Sequence, residues 1–221
     1  MATNLGLITI TDPMSPASEA YRTLRMNLEF ATLDEDLRTL SITSPGPGEG
    51  KSTTLANLAV TLAQVGQRVV AVDCDLRRPH LHQLFGLENE TGVTTMMLED
   101  NALDSPPLQD TPVDGLRFLG SGTLPPRPAD LLGSKRMEEI IARLLQDADI
   151  LLFDTPPVLA ATDAAVLATK VNGTLLVFSA GDTKREHARR AIERLQNVKA
   201  NVLGAVLSNA PVEMTLQGYY K

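Results

Sequence analysis

The segment that most constrains the fold of this chain is the glycine-rich stretch at 43–53, which reads Thr-Ser-Pro-Gly-Pro-Gly-Glu-Gly-Lys-Ser-Thr. A run of mostly β-branched or aliphatic residues at 39–43 leads into it, and a helical pattern at 51–65 follows it. Glycines at such a junction let successive backbone N–H groups converge on an anion, and the helix N-terminus adds the positive end of its dipole. The stretch therefore predicts a strand–loop–helix unit that binds phosphate.

The side chains of this loop have predictable tasks. Lys51 is expected to reach the β- and γ-phosphate oxygens of a nucleotide, and Ser52 is expected to offer Mg²⁺ an oxygen ligand. One departure is Pro45, which stands where such loops usually carry their first glycine. The residues predicted to contact the nucleotide are Gly46, Gly48, Glu49, Gly50, Lys51, Ser52 and Thr53.

Two further apolar runs end in carboxylates. The run at 68–73 ends in Asp73, with Asp75 two residues on, and the run at 150–154 ends in Asp154. Parallel strands bring such residues to one edge of a sheet, beside the phosphate loop. Phosphoryl transfer needs a metal on the phosphate oxygens and a group able to take the acceptor's proton. We therefore predict Ser52, Asp75 and Asp154 as metal ligands.

The same pattern predicts Lys51, Asp73 and Asp75 as catalytic residues. Asp73 is the candidate base for the hydroxyl of the phosphoryl acceptor, although the division of labour between Asp73 and Asp75 stays open at this point. The simpler alternative is that strand-end aspartates only cap the turns that follow them. Three motifs in this order would then be a coincidence.

Apolar strands alternating with helical patterns predict the fold class. We expect an α/β, P-loop NTPase-like domain with a mostly parallel central sheet and helices on both faces, formed by residues 1–221. The stretches at 101–115 and 120–128 are expected to be loops. The predicted strands are 39–43, 68–73, 116–119, 150–154, 174–179 and 201–208, and the predicted helices are 15–33, 51–65, 137–145, 163–169 and 184–198.

Composition excludes several classes of function. A net charge of −7, with 4% aromatic residues and no tryptophan, disfavours nucleic-acid binding. The single cysteine, Cys74, cannot form an internal disulfide or hold an iron–sulfur cluster, and we expect it to be a buried core residue. The sequence contains no run of about twenty apolar residues, so it predicts no transmembrane segment. The cytoplasm is the expected location.

Together these motifs resemble those of the bacterial tyrosine kinases, the capsule and exopolysaccharide regulators related to the MinD/ParA ATPases. The resemblance rests on 44–53 as the Walker A segment, 70–77 as the Walker A′ segment with its Asp-x-Asp-x-Arg, and 151–157 as Walker B. The signature lysine of the wider ATPase family is replaced by Gly46, which favours a kinase. The resemblance implies an ATP- and Mg²⁺-dependent tyrosine autokinase that acts in trans and regulates capsule or exopolysaccharide synthesis or export.

The resemblance also implies partners. A Glu-x-x-Arg-x-x-Arg element in the helix at about 15–33 resembles the one through which these kinases associate, so Glu19, Arg22 and Arg25 are expected to form the interface of a homo-oligomer, possibly a ring. The tail at about 211–221 carries Tyr219 and Tyr220 as the expected phosphoacceptors, fewer than the family usually has. A membrane protein with a cytoplasmic tail is the expected activator, which would place the kinase at the membrane through that partner.

The main alternative is a positioning ATPase of the MinD/ParA kind. It would need an amphipathic membrane-binding helix or a basic DNA-binding surface, and the tail at 211–221 supplies neither. A small-molecule ligase on the same fold is a third possibility, which a second substrate pocket would reveal.

Overall fold

A computed structural model describes residues 5–32 and 36–211 of the chain. Within these ranges seven strands form one sheet in the order β3-β4-β2-β5-β1-β6-β7. Neighbouring strands are parallel except for β3 and β4, which are antiparallel, so the mostly parallel sheet is confirmed. The strands are β1 (Thr39–Thr43), β2 (Val69–Asp73), β3 (Gln109–Asp110), β4 (Leu116–Leu119), β5 (Ile150–Asp154), β6 (Gly173–Ser179) and β7 (Val202–Ser208).

Helices cover both faces of this sheet. The five predicted helices are present, with ends that differ by a few residues where the structure describes them. The helices are α1 (Ile8–Thr11), α2 (Pro16–Ala31), α3 (Lys51–Ala63), α4 (Leu81–Phe85), α5 (Val93–Leu98), α6 (Asn101–Asp104), α7 (Pro128–Gly133), α8 (Lys135–Leu144), α9 (Asp163–Ala168) and α10 (Arg185–Asn197).

The stretch at 101–115 corrects one prediction, because it contains α6 and β3 where we expected only loop. Both elements are two to four residues long, too short to show a hydrophobic period. In addition, the loop predicted at 120–128 ends one residue early, since Pro128 opens α7 and fits the first turn of a helix.

Alternation along the strands divides the core into two layers. In β5, Ile150 and Leu152 pack with α3 on one face, whereas Leu151 and Phe153 pack with α8 on the other. A strand that is apolar on both faces can be buried only between two layers of helices. The sequence of β5 therefore places it at the centre of the sheet.

The order of the central strands positions the candidate site. Strand β5 lies between β2 and β1, and its last residue, Asp154, is in register with Asp73 of β2 and with Ile42 of β1. All three strands point the same way, so their carboxyl ends meet at one edge. The glycine-rich loop after β1 lies at that edge as well.

Helix α2 packs across α3 on one face of the domain. Its start is fixed by Ser15, whose hydroxyl accepts a hydrogen bond from the backbone N–H of Ser18, and by Pro16 in the first turn. Leu28 is buried beneath it, while Tyr21 is half-buried. Among the described residues, no helix is both long enough and apolar enough to cross a bilayer.

Candidate active site

The glycine-rich loop has the backbone shape expected of a phosphate cradle. Gly48 and Gly50 have φ angles of +77° and +87°, in the left-handed region that favours glycine. Gly50 is the N-cap of α3, and a Cβ added there would lie 3.3 Å from the side chain of Ser208 at the end of β7. Glycine at this position is thus required both by the backbone angle and by the neighbouring strand.

Lys51 is the centre of the site. Its Nζ lies 3.2 Å from Oδ1 of Asp154 and 3.3 Å from Oδ2 of Asp75. The hydroxyl of Ser52 donates to Oδ2 of Asp154 at 2.5 Å and lies 3.1 Å from Nζ of Lys51. Lys51 is therefore in direct contact with three of the other four side chains that the sequence assigned to metal binding and catalysis, namely Ser52, Asp75 and Asp154.

Burial makes this cluster electrostatically unusual. It lowers the pKa of the Lys51 ammonium, but the charges of Asp154 and Asp75 outweigh it, and the net pKa is raised. Burial likewise raises the pKa of the Asp154 carboxyl, against the opposing effect of Lys51. The single ammonium faces more than one carboxylate in a place with little water, so the site favours an additional cation.

Asp73 has different partners from Asp75. Its Oδ1 accepts from the backbone N–H of Asp75 at 3.2 Å, and its Oδ2 accepts from those of His80 and Leu81 at 3.1 and 3.0 Å. Burial, assisted by the charge of Asp154, raises the pKa of Asp73 to about 8. Both carboxylate oxygens of Asp73 thus accept hydrogen bonds from the segment that follows β2, whereas Asp75 faces Lys51.

The donor set fits Mg²⁺. Ser52, Asp75 and Asp154 offer hard oxygen ligands, and Mg²⁺ is usually held by one or two carboxylates together with substrate phosphates and water. Over 5–32 and 36–211, no group of three or more His, Cys, Asp or Glu side chains is arranged to hold a metal by itself. Mg²⁺ bound through Ser52, Asp75 and Asp154 would leave coordination positions for nucleotide phosphates and water.

A groove of about 850 Å³ opens beside the glycine-rich loop. It lies between α2 and the end of β7, a region that sequence reasoning did not associate with the site. Its volume is in the range of small-molecule sites. Among its lining residues are Tyr21, Leu24, Gly48, Thr53, Leu207 and Asn209.

Glu49, predicted to contact the nucleotide, folds back onto its own loop. Its Oε1 accepts from the backbone N–H of Gly46 at 3.1 Å, and its backbone carbonyl accepts from the hydroxyl of Ser208 at 2.7 Å. Burial is the main cause that raises the pKa of the Glu49 carboxyl. In this structure Glu49 holds the shape of the loop and ties it to β7. The role of Ser208 had no signal in the sequence.

The predicted interface residues form ion pairs with neighbours on their own helix. Glu19, Arg22 and Arg25 are on α2, where Arg22 pairs with Glu19 and Arg25 pairs with Glu29. The phosphoacceptors predicted at 219 and 220 lie outside the described residues. Cys74 is buried as predicted, and burial raises the pKa of its thiol well above the ordinary value, so it offers no thiolate to catalysis.

A parallel sheet whose first strand leads into this loop, with a lysine, a hydroxyl and two strand-end carboxylates converging at its mouth, defines a P-loop NTPase-type protein. In agreement, the sequence profile of a family described as "ParA: NUBPL iron-transfer P-loop NTPase" matches residues 37–214.

Individual relatives give a narrower assignment. The chain is 43% identical over 216 residues to the tyrosine-protein kinase YwqD of Bacillus subtilis, covering 97% of this chain and 91% of that protein. It is 34% identical to the putative tyrosine-protein kinase CapB of Staphylococcus aureus, covering 94% and 91%. The solved structure of the kinase domain of the Escherichia coli tyrosine kinase ETK superposes with a TM-score of 0.89 at 31% identity, covering 97% of this chain and 84% of that one.

The chain belongs to the bacterial tyrosine-protein kinases. The predictions of a P-loop fold and of a tyrosine kinase, in preference to a positioning ATPase, are thereby confirmed.

Proposed function

We propose that this kinase transfers the γ-phosphoryl group of Mg·ATP to Tyr219 and Tyr220 in the tail of a neighbouring copy, and that this reaction regulates the synthesis or export of capsule or exopolysaccharide. The observation that carries the proposal is the position of Lys51, within 3.3 Å of both Asp75 and Asp154 at the mouth of the glycine-rich loop. The polysaccharide role rests on the resemblance of the motifs.

Lys51 supplies positive charge to the reaction. Since its pKa is raised, the ammonium stays protonated at physiological pH and is available to the oxygens of a transferring phosphoryl group. When bound through Ser52, Asp75 and Asp154, Mg²⁺ would neutralise charge on the phosphate oxygens. The groove beside Gly48 and Thr53 offers room for the rest of the nucleotide.

The acceptor's proton must pass to a base as the tyrosine oxygen forms its bond to phosphorus and the bond to the ADP oxygen breaks. Asp75 is better placed for this than Asp73, because Asp75 faces Lys51, whereas both oxygens of Asp73 already accept backbone hydrogen bonds. We therefore place Asp75 next to the reacting atoms and give Asp73 the task of holding the loop that carries Asp75.

Transfer in trans requires a contact between copies, which we place on α2. Glu19 and Arg22 are partly exposed there, and Arg25 exposes only 15% of its side chain. Phe30 is 65% exposed and Met26 is also exposed on the same helix, which adds apolar surface to the charged residues. This combination of charged and apolar surface suits the contact of a homo-oligomer, such as a ring, better than a solvated helix face.

An activating membrane protein completes the proposal. By resemblance, its cytoplasmic tail would bind the kinase and bring it from the cytoplasm to the membrane, and no nucleic acid would be involved. This part rests on the motifs alone.

Mass spectrometry of the C-terminal peptide after incubation with Mg-ATP tests the acceptors and the metal together. We expect phosphotyrosine at Tyr219 or Tyr220, none in a Tyr219→Phe/Tyr220→Phe variant, and none when EDTA removes Mg²⁺. Tyr21, the third tyrosine of the chain, is half-buried on α2, so the peptide that contains it should carry no phosphate. Labelling that persists in the double variant would assign the acceptor elsewhere.

Sedimentation with Mg-nucleotide tests the interface. Arg22→Ala/Arg25→Ala should produce monomers that bind ATP normally but label poorly at low protein concentration. Arg185→Ala/Arg190→Ala removes two exposed arginines from α10 and is the charge-matched control. A wild type that is strictly monomeric while it autophosphorylates efficiently would exclude both the interface and the trans reaction.

A further inference from the structure

An arginine and an aspartate join two loops at the edge of the site. The guanidinium of Arg77, in the loop after β2, donates through Nε to Oδ2 of Asp163 at 2.8 Å and through a terminal nitrogen to Oδ1 at 2.9 Å. The Asp163 side chain is fully buried, and Arg77 remains 48% exposed. The two residues are 86 positions apart in the chain, so the pair exists only because of the fold.

One partner of the pair, Arg77, is connected to Asp75. The Oδ1 of Asp75 accepts from the backbone N–H groups of Arg77 and Arg78 at 3.3 and 3.0 Å. Its other oxygen, Oδ2, faces Nζ of Lys51. The position of the 77–78 backbone therefore decides where the Asp75 carboxylate points.

The other partner, Asp163, is connected to Asp154 through the segment of chain between them. The segment after Asp154 is tied to β1 and its loop, since Thr155 donates through its hydroxyl to the carbonyl of Ile42 at 2.8 Å and the N–H of Val158 donates to the carbonyl of Ser44 at 2.8 Å. Asp163 follows five residues later as the first residue of α9. The Arg77–Asp163 pair thus closes a circuit of contacts that runs from Lys51 through Asp75 and back through Asp154.

We infer that Arg77 and Asp163 act as a clamp that fixes the separation of Asp75 and Asp154 around Lys51, which makes both of them positioning residues for phosphoryl transfer. The inference rests on the proposed roles of Asp75 and Asp154. Its physical basis is the shape of the pair. A planar guanidinium held by two parallel hydrogen bonds fixes angle as well as distance, which the single ammonium of a lysine cannot do.

Substitutions of Arg77 can separate a loss of stability from a loss of geometry at the site. Arg77→Ala leaves a buried carboxylate without its cation and should reduce thermal stability. Arg77→Lys keeps a positive charge beside Asp163 and should recover much of that stability, while losing the two-point geometry. If the ion pair were purely structural, Arg77→Lys would restore stability, rate and Mg²⁺ dependence together.

The test measures phosphotyrosine formation at saturating ATP while Mg²⁺ is titrated, the Mg²⁺-dependent binding of a fluorescent ATP analogue, and thermal unfolding, all on the full chain. For Arg77→Lys and Asp163→Asn we expect a rate lower by about tenfold or more and a half-saturating Mg²⁺ concentration higher by several fold. Arg68→Lys is the matched control, because Arg68 also pairs with an aspartate through two guanidinium nitrogens, but at the opposite end of the sheet. It should change neither value by more than about twofold.

If Arg77→Lys restores stability, rate and Mg²⁺ dependence together, the clamp is wrong and the pair is structural. If Arg77→Ala does not fold, Arg77→Lys and Asp163→Asn still decide between the two outcomes. The binding assay needs no tyrosine transfer. A wild type that binds Mg-nucleotide without forming phosphotyrosine would therefore contradict the proposed function, while the Mg²⁺ titration of binding still tests the clamp.

Discussion

The two ends of the central sheet each hold a cation paired with an aspartate, and the pairs differ in burial far more than in length. At the carboxyl end, Lys51 lies 3.2 Å from Asp154, with 12% and 0% of the side chains exposed. At the amino end, Arg68 lies 2.6 Å from Asp149, with 60% and 45% exposed. The shorter pair is the more exposed one, so distance does not indicate which pair matters.

Burial reverses the effect on the aspartates. At the amino end, hydrogen bonds from Arg68 lower the pKa of Asp149, which is the ordinary result of pairing in water. At the carboxyl end, burial raises the pKa of Asp154 in spite of Lys51. A buried ion pair is weak evidence for stability, because desolvation can exceed the attraction between the charges. We therefore attribute the carboxyl-end cluster to the proposed phosphoryl transfer, whereas the amino-end pair needs no functional explanation.

Lys51→Met gives the largest effect expected from this comparison. It removes the charge nearest the transferring phosphoryl group, so phosphotyrosine formation should fall by a factor of roughly a thousand or more. Arg68→Met, the same change at the other end of the sheet, should leave the rate unchanged. The measurement is the initial rate with Mg-ATP, with circular dichroism to confirm that both variants are folded. Undiminished turnover in folded Lys51→Met would contradict the assignment of the phosphate loop.

The sequence predicts the ends of strands and helices better than it predicts contacts between distant positions. Strands β1 and β5 were predicted residue for residue, because each is a short run of mostly β-branched or aliphatic residues that ends at a loop or a carboxylate. Lys51, Ser52, Asp75 and Asp154 were found from their places at strand and helix ends, since a parallel sheet brings such ends together.

Contacts between distant positions had no such signal. The pairing of Arg77 with Asp163 depends on how two loops lie in space, and Asp163 alone looks like any acidic residue at the start of a helix. The division between Asp73 and Asp75 was open for the same reason. Alternate residues after a strand point in different directions, and only the path of the 75–81 loop decides which carboxylate meets Lys51.

A pH titration of stability gives the intermediate effect. The folded-state pKa of Asp73, about 8, lies above its unfolded value, so the native state holds more protons than the unfolded chain between about pH 4 and 8. Over that window the contribution of Asp73 to the free energy of unfolding falls as pH rises. Asp73→Asn should remove this contribution and make the fall shallower, by at most about 1.4 kcal/mol per pH unit.

Asp149→Asn is the control for this titration. The pKa of Asp149 is lowered in the folded state, so its contribution is present above the unfolded value near 4 and is lost only as pH falls below it. Denaturant unfolding between pH 5 and 8 should therefore give the same slope for Asp149→Asn as for the wild type. Equal slopes for Asp73→Asn and the wild type would show that burial does not hold a proton at the carboxyl end.

Arg68→Ala, at the amino end of the sheet, should give the smallest effect. The Arg68–Asp149 pair is solvated and bridges two strand starts, so its attraction is offset by hydration and by the entropy of holding two side chains in place. The melting temperature should change by roughly two degrees at most, and 0.5 M salt, in which the screening length is only about 4 Å, should remove most of that change. Autophosphorylation should keep the wild-type rate and the wild-type Mg²⁺ dependence. A loss of activity in Arg68→Ala would mean that the amino end of the sheet is coupled to the site, and that burial alone does not separate the functional pair from the incidental one.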